Sequence, residues 1–140
     1  MTLSDRLRAF LKVNHRGVLA TFRRNGAAQM SIVSCGLYGD GVAFTTTADR
    51  AKLRNLQANP RCSLLVSTPD WRGYVVLEGR GALWSPENTD AERLRLGLRD
   101  VYRAAGGGEH PDWEEYDQAM RDQRRSVVIV EADHIYAWNA

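Results

Sequence analysis

Apolar positions follow two different periods along the chain. Leu3, Leu7, Phe10 and Leu11 recur at i, i+4, i+7 and i+8, which predicts an amphipathic helix over residues 3–13. The run Gly17-Val18-Leu19-Ala20-Thr21-Phe22 is short and β-rich, and predicts a strand. Asn25-Gly26 follows, a strong hairpin signal because both turn positions tolerate positive φ. Residues 27–37 are then expected to return as one strand. Gly39-Asp40-Gly41 marks a second turn before Val42-Ala43-Phe44-Thr45-Thr46-Thr47.

The period then changes. Arg50, Leu53, Leu56 and Gln57 have helical spacing, with Asp49 as the expected N-cap and Asn59-Pro60 as the stop. Arg61 to Val66 reads as a strand, and Tyr74 begins another that continues to Trp84. Leu94, Leu98, Val101 and Tyr102 share one face of a helix that ends at Gly106-Gly107-Gly108. Pro111-Asp112-Trp113 opens a further helix to about Gln123, and a last strand starts at Ser126. Six or seven strands mostly follow one another without a helix between each pair. That order disfavours a doubly wound parallel sheet and favours an antiparallel barrel with attached helices.

Composition narrows the class. The chain has 140 residues, 44% hydrophobic and 26% charged, close to the globular average, so one domain over residues 1–140 is expected. No apolar run approaches the roughly 20 residues of a membrane span, and the charged N-terminus does not resemble a secretion signal. These features read as a cytoplasmic protein. Cys35 and Cys62 are expected as buried small side chains and not as a disulfide. No two of His15, His110 and His134 stand at ligand spacing, so no metal site is expected. A net charge of +2 is too small to argue for nucleic acid.

The search for catalytic motifs returns little. The chain has no nucleophile elbow, no phosphate-binding P-loop and no HExxH. Such a chain often delegates its chemistry to a cofactor. The informative segment is Thr45-Thr46-Thr47-Ala48-Asp49-Arg50-Ala51-Lys52. Hydroxyls end a strand, and Arg50 and Lys52 open a helix. Cations there oppose the helix dipole. A bound anion would gain from backbone N–H groups and both side chains. A solvated basic helix start is the plain alternative. Lys52 also stands out because only two of the 19 basic Lys and Arg residues are lysines.

The stretch TTTADRAKLRNLQANPRCSLLV resembles the cofactor-phosphate segment of the pyridoxamine 5′-phosphate oxidase-like split β-barrel superfamily. GVLATFRRNGAAQMSIV resembles its opening hairpin, and YVVLEGRGAL its V-x-x-E-G strand. The C-terminal DVYRAAGGGEHPDWEEYDQAMRDQRRSVVIVEADHIYAW resembles the branch of deazaflavin-dependent reductases that use coenzyme F-420. The flavin-using oxidases carry adjacent Ser-Arg-Lys, whereas here Arg50 and Ala51 precede Lys52, as in the F-420 branch. The substrate-phosphate residues of true pyridoxamine phosphate oxidases have no clear counterpart.

The resemblance implies a homodimeric split β-barrel (FMN-binding-like), mainly antiparallel β with helices, with two cofactor sites at the subunit interface. It implies an oxidoreductase that moves a hydride between C5 of F-420 and a small unsaturated or quinone-like organic molecule. Arg50 and Lys52 would bind the cofactor phosphate, and Thr45 and Thr46 the phosphate or ribityl chain. Gln29, Ser31 and Val33, on one face of a strand, would line the ring. Trp71, with Gly73 and Tyr74, would lie near the strand that closes the site. Arg124 and Arg125 would reach a cofactor held mainly by the other subunit. Gln29 and Ser31 also read as the polar face of a hairpin strand, and Arg124-Arg125 as a solvated helix end. FMN in the same groove is one alternative, and a non-catalytic carrier or sensor of a deazaflavin or haem is another.

Overall fold

The computed structural model describes residues 1–140. Helix α1 spans Asp5–Val13 and is capped by the Ser4 hydroxyl, which accepts from the Leu7 N–H. Strands β1 (Arg16–Phe22) and β2 (Ala28–Ser34) form the opening hairpin. Only Gly26 takes a positive φ in its turn, and its N–H donates to the Arg23 carbonyl. The turn therefore spans more than the expected two residues, and Asn25 instead accepts the Ala27 N–H on its side chain.

The expected strand over residues 27–37 is broken at Cys35 into β2 and the short β3 (Gly36–Tyr38). Strand β4 (Gly41–Thr46) leads to helix α2 (Ala51–Ala58). Arg50, not Asp49, holds the N-cap position and has no side-chain cap bond; the Asp49 carboxylate takes the Thr47 hydroxyl at 2.7 Å instead. Strands β5 (Arg61–Ser67) and β6 (Tyr74–Trp84) precede helix α3 (Ala91–Tyr102), whose end widens into a π-helical turn over Arg103–Gly107. Helix α4 (Trp113–Asp122) and the long strand β7 (Ser126–Trp138) complete the chain.

All seven strands join one antiparallel sheet in the order β2-β1-β5-β6-β7-β4-β3. Its two edge strands, β2 and β3, are joined by the single buried residue Cys35. The sheet must therefore curl until its edges meet there, which gives a barrel split along one seam. Leu19, Phe44, Leu64, Val66, Leu77, Val128 and Val130 fill the interior, and α1 and α2 add Leu11 and Leu56. Outside, α3 and α4 cover β4 and the start of β7 through Leu94, Leu98, Val101 and Tyr116 on Ala43, Val127 and Ile129. Burying each Leu of this kind contributes about 1.5–3 kcal/mol. Both cysteines are free and buried, and burial pushes the Cys35 thiol up to about 12.

One outer face differs. Strand pairing sets Ile32, Val18, Leu65, Val76 and Tyr136 in a row across β2, β1, β5, β6 and β7. The ends of this apolar row, Ile32 and Tyr136, are 72% and 49% exposed. No helix is long and apolar enough to cross a membrane.

Candidate functional site

The seam of the barrel holds a polar cleft of about 320 Å³. One wall is β2, through Ser31 and Ile32. The other is the end of β4, through Thr45, Thr46 and Thr47. Arg50, Lys52 and Arg125 close it. Of the residues picked out from the sequence, the structure brings Ser31, Thr45, Thr46, Arg50, Lys52 and Arg125 together here.

Local folding explains the meeting. Strand β4 ends on Thr45 and Thr46, Thr47 follows it, and α2 starts where Leu53 and Leu56 are buried. Lys52 then falls in the first turn of α2, with Arg50 just before it. Arg125 arrives from the other direction, one residue before β7, which pairs Ser126 with Thr46. Its Nη1 donates to the Thr45 hydroxyl at 3.0 Å, and its Nε to the Gln123 side-chain oxygen at 2.7 Å.

The electrostatics are one-sided. None of the three cations forms an ion pair with a carboxylate. Burial, then Arg50, then Arg125 push the Lys52 ammonium below its usual range. Burial likewise lowers Arg125, with Arg50 adding to it and Tyr116 opposing. Hydroxyl donors beside desolvated, unpaired cations suit a multiply charged oxyanion such as a phosphate.

Four other residues lie elsewhere. Gln29 accepts from Asn55 Nδ2 at 3.2 Å and so ties β2 to α2. Val33 shares its strand face but is buried in the core. Arg124 turns away into an ion pair with Glu87 and lines a different cleft, between α3 and α4. Trp71 stands in a separate cleft with His15, Arg16 and Ser34. Along β2, Gln29 and Ser31 share the inward face of buried Val33, where Asn55 partners Gln29, while Met30 and Ile32 point out and are exposed.

Sequence reasoning missed the middle of the groove. A second hollow of about 430 Å³ shares Thr45 and Arg125 with the cationic cleft. It runs past Tyr102, Gly106, Gly107, Tyr116 and Met120 to Ser34. Ser34 also borders the Trp71 cleft, so the three hollows adjoin in sequence along β2. The π-helical turn forms one wall of the middle hollow. It approaches β3 so closely that a Cβ on Gly36 would lie 1.8 Å from the Ala104 carbonyl oxygen. The Gly106-Gly107-Gly108 run was the only signal for this wall, and it reads equally as a helix stop.

The fold has known counterparts. The conserved hypothetical protein Rv2991 of Mycobacterium tuberculosis is 20% identical, with a TM-score of 0.75 over 99% of this chain and 86% of that one. An F-420 reductase is 24% identical, with a TM-score of 0.65 over 92% and 94%. General Stress Protein 26 of Bacillus anthracis is 16% identical, with a TM-score of 0.62 over 94% and 89%. The sequence model described as pyridoxamine 5′-phosphate oxidase matches residues 3–139. With nearly the whole chain matched and a split antiparallel barrel beneath it, the protein belongs to the pyridoxamine 5′-phosphate oxidase family.

Proposed function

We propose that the seam binds coenzyme F-420 and that the protein is an F-420-dependent oxidoreductase acting on a small unsaturated or quinone-like organic molecule. One observation carries this reading: Arg50, Lys52 and Arg125 converge on a hydroxyl-lined cleft that no carboxylate lines, and none of them forms an ion pair. A phosphate on a ribityl chain fits those donors. The next hollow, bounded by β2, Tyr102, Tyr116 and the Gly106-Gly107 backbone, has the volume and apolar walls for a flat ring. Membership of the family and the fold shared with an F-420 reductase support the same choice.

When bound, the deazaflavin supplies a hydride at its ring carbon C5. The chain's own residues bind and orient. Arg50 and Lys52 hold the phosphate, Thr45 and Arg125 fix the start of the ribityl chain, and Tyr102 and Met120 keep water from one side of the ring. In this reading residues 1–140 form one cofactor-binding domain. The apolar row from Ile32 to Tyr136, exposed at both ends, seats a second copy, which completes the site. FMN offers the same phosphate and ribityl chain to the same donors, so it is the second reading.

Fluorescence titration of the cofactor-free protein with F-420 and FMN separately tests the choice. Tight F-420 binding with weak FMN binding is expected. The reverse moves the protein to flavin chemistry, and binding of neither removes the seam as a cofactor site. Ile32→Asp should convert the dimer to monomer in sedimentation; a wild-type monomer with full cofactor affinity would contradict the two-copy site.

A further inference from the structure

The far end of the groove holds a histidine that the cofactor reading does not use. His15 Nδ1 lies 3.0 Å from the Cys35 carbonyl oxygen. A carbonyl oxygen only accepts, so Nδ1 carries the proton. In the neutral ring Nε2 is then the bare nitrogen, and no group of the protein bonds to it. The ring is also seated by backbone. Gly106 takes a φ of +91° and lies against it; a Cβ there would stand 2.8 Å from His15 Cδ2. Tautomer and ring orientation are thus both set, which prepares Nε2 to accept a hydrogen bond.

Trp71 lines the same cleft of about 390 Å³ as His15. Its side chain is 61% exposed and its φ is +64°. A left-handed conformation at a bulky residue costs roughly 1–2 kcal/mol. The turn around it is firmly bonded. The Thr68 hydroxyl bonds the Asp70 carboxylate at 2.7 Å and accepts the Gly73 N–H at 3.1 Å, and the Arg72 N–H donates to Asp70 at 3.1 Å. Such a network holds the exposed indole at the rim of the cleft in spite of the strain. An indole face recognises a flat aromatic ring. A bare Nε2 recognises a donor.

We propose that this cleft is a second subsite that takes a small planar phenol, its ring on Trp71 and its hydroxyl on His15 Nε2. Its place in the reaction rests on the cofactor reading, because the shared Ser34 would set the phenol beside the ring hollow. As a binding site it stands on the cleft alone. His15 acts here as a positioning residue.

The test uses 2-naphthol and 2-methylnaphthalene, titrated by calorimetry into cofactor-free protein in its own solution oligomeric state. 2-Naphthol should bind at least tenfold more tightly. His15→Phe should erase that preference, and Trp71→Ala should weaken both ligands at least tenfold. In wild-type protein, the ¹⁵N resonance of His15 Nε2 should move with 2-naphthol and stay with 2-methylnaphthalene. This readout needs neither activity nor a folded variant. Equal affinities in wild type, an unmoved Nε2 resonance at saturation, or unchanged binding in Trp71→Ala overturns the subsite. F-420 binding without a naphthol preference sinks this subsite and leaves the cofactor reading intact. A naphthol preference without F-420 binding does the reverse.

Discussion

Two groups of cations in this chain differ in one respect. At the α3–α4 junction, buried Asp117 accepts Arg99 Nε at 2.9 Å and Arg95 Nη1 at 3.2 Å, and Arg95 Nε also donates to Glu92 at 2.9 Å. Hydrogen bonds from Arg99, then Arg95, hold the Asp117 carboxyl below the usual carboxylate range. Each charge there finds its counterpart within the chain. At the seam Arg50, Lys52 and Arg125 form no ion pair, and burial, then Arg50 and Arg125, disfavours the Lys52 ammonium. Cations that neutralise themselves hold helices together. Cations left in surplus, two of them partly desolvated, would suit an anion from outside.

The contrast is sharpest in stability. Asp117→Ala should destabilise the fold by about 2–3 kcal/mol, since two guanidiniums lose their shared buried carboxylate. Urea unfolding reads this, and cofactor affinity should hold. Lys52→Ala should behave oppositely. It should weaken F-420 or FMN binding by about 1.5–3 kcal/mol, the range of hydrogen bonds to charged groups. Its unfolding midpoint should not fall, because a like charge has been removed. Arg124→Ala is the internal control: its ion pair with Glu87 is exposed, and neither quantity should change. A destabilised Lys52→Ala that kept its affinity would break the comparison.

A subtler effect concerns pH. The free protein disfavours charged Lys52, and a bound phosphate favours it. Binding therefore raises the lowered Lys52 pKa and takes up protons as pH approaches it. Affinity should fall as pH rises through that value, beginning below the range of an ordinary lysine. Lys52→Arg keeps its charge and should flatten the profile. A flat wild-type profile would detach Lys52 from the ligand.

The half of the site that could be read from sequence is the half that is local. Thr45, Thr46, Arg50 and Lys52 lie within eight residues, and a strand running into a helix is enough to gather them. Arg125 entered only through the family resemblance, because its contact with Thr45 spans 80 residues. His15 was invisible as a site residue: its orientation depends on Cys35 and on Gly106, both distant in sequence. On β2 the mixed alternation of Gln29, Met30, Ser31, Ile32 and Val33 left the inward face undecided. Asn55 on α2 decides it by partnering Gln29. Asp49 failed as an N-cap because the Thr47 hydroxyl, two residues away, bonds its carboxylate first.

The joint at Cys35 has a consequence for how the molecule keeps to itself. A curled sheet whose ends are tied by one residue leaves β2 with an open edge along the seam. Such an edge is ordinarily an invitation for a foreign strand to pair, the first step toward aggregation. Here the approach to it passes Arg50, Lys52 and Arg125. An incoming strand must desolvate those charges without neutralising them, whereas a phosphate neutralises them on arrival. The same three side chains that would welcome a small anion therefore oppose the pairing of a foreign strand along this part of the edge.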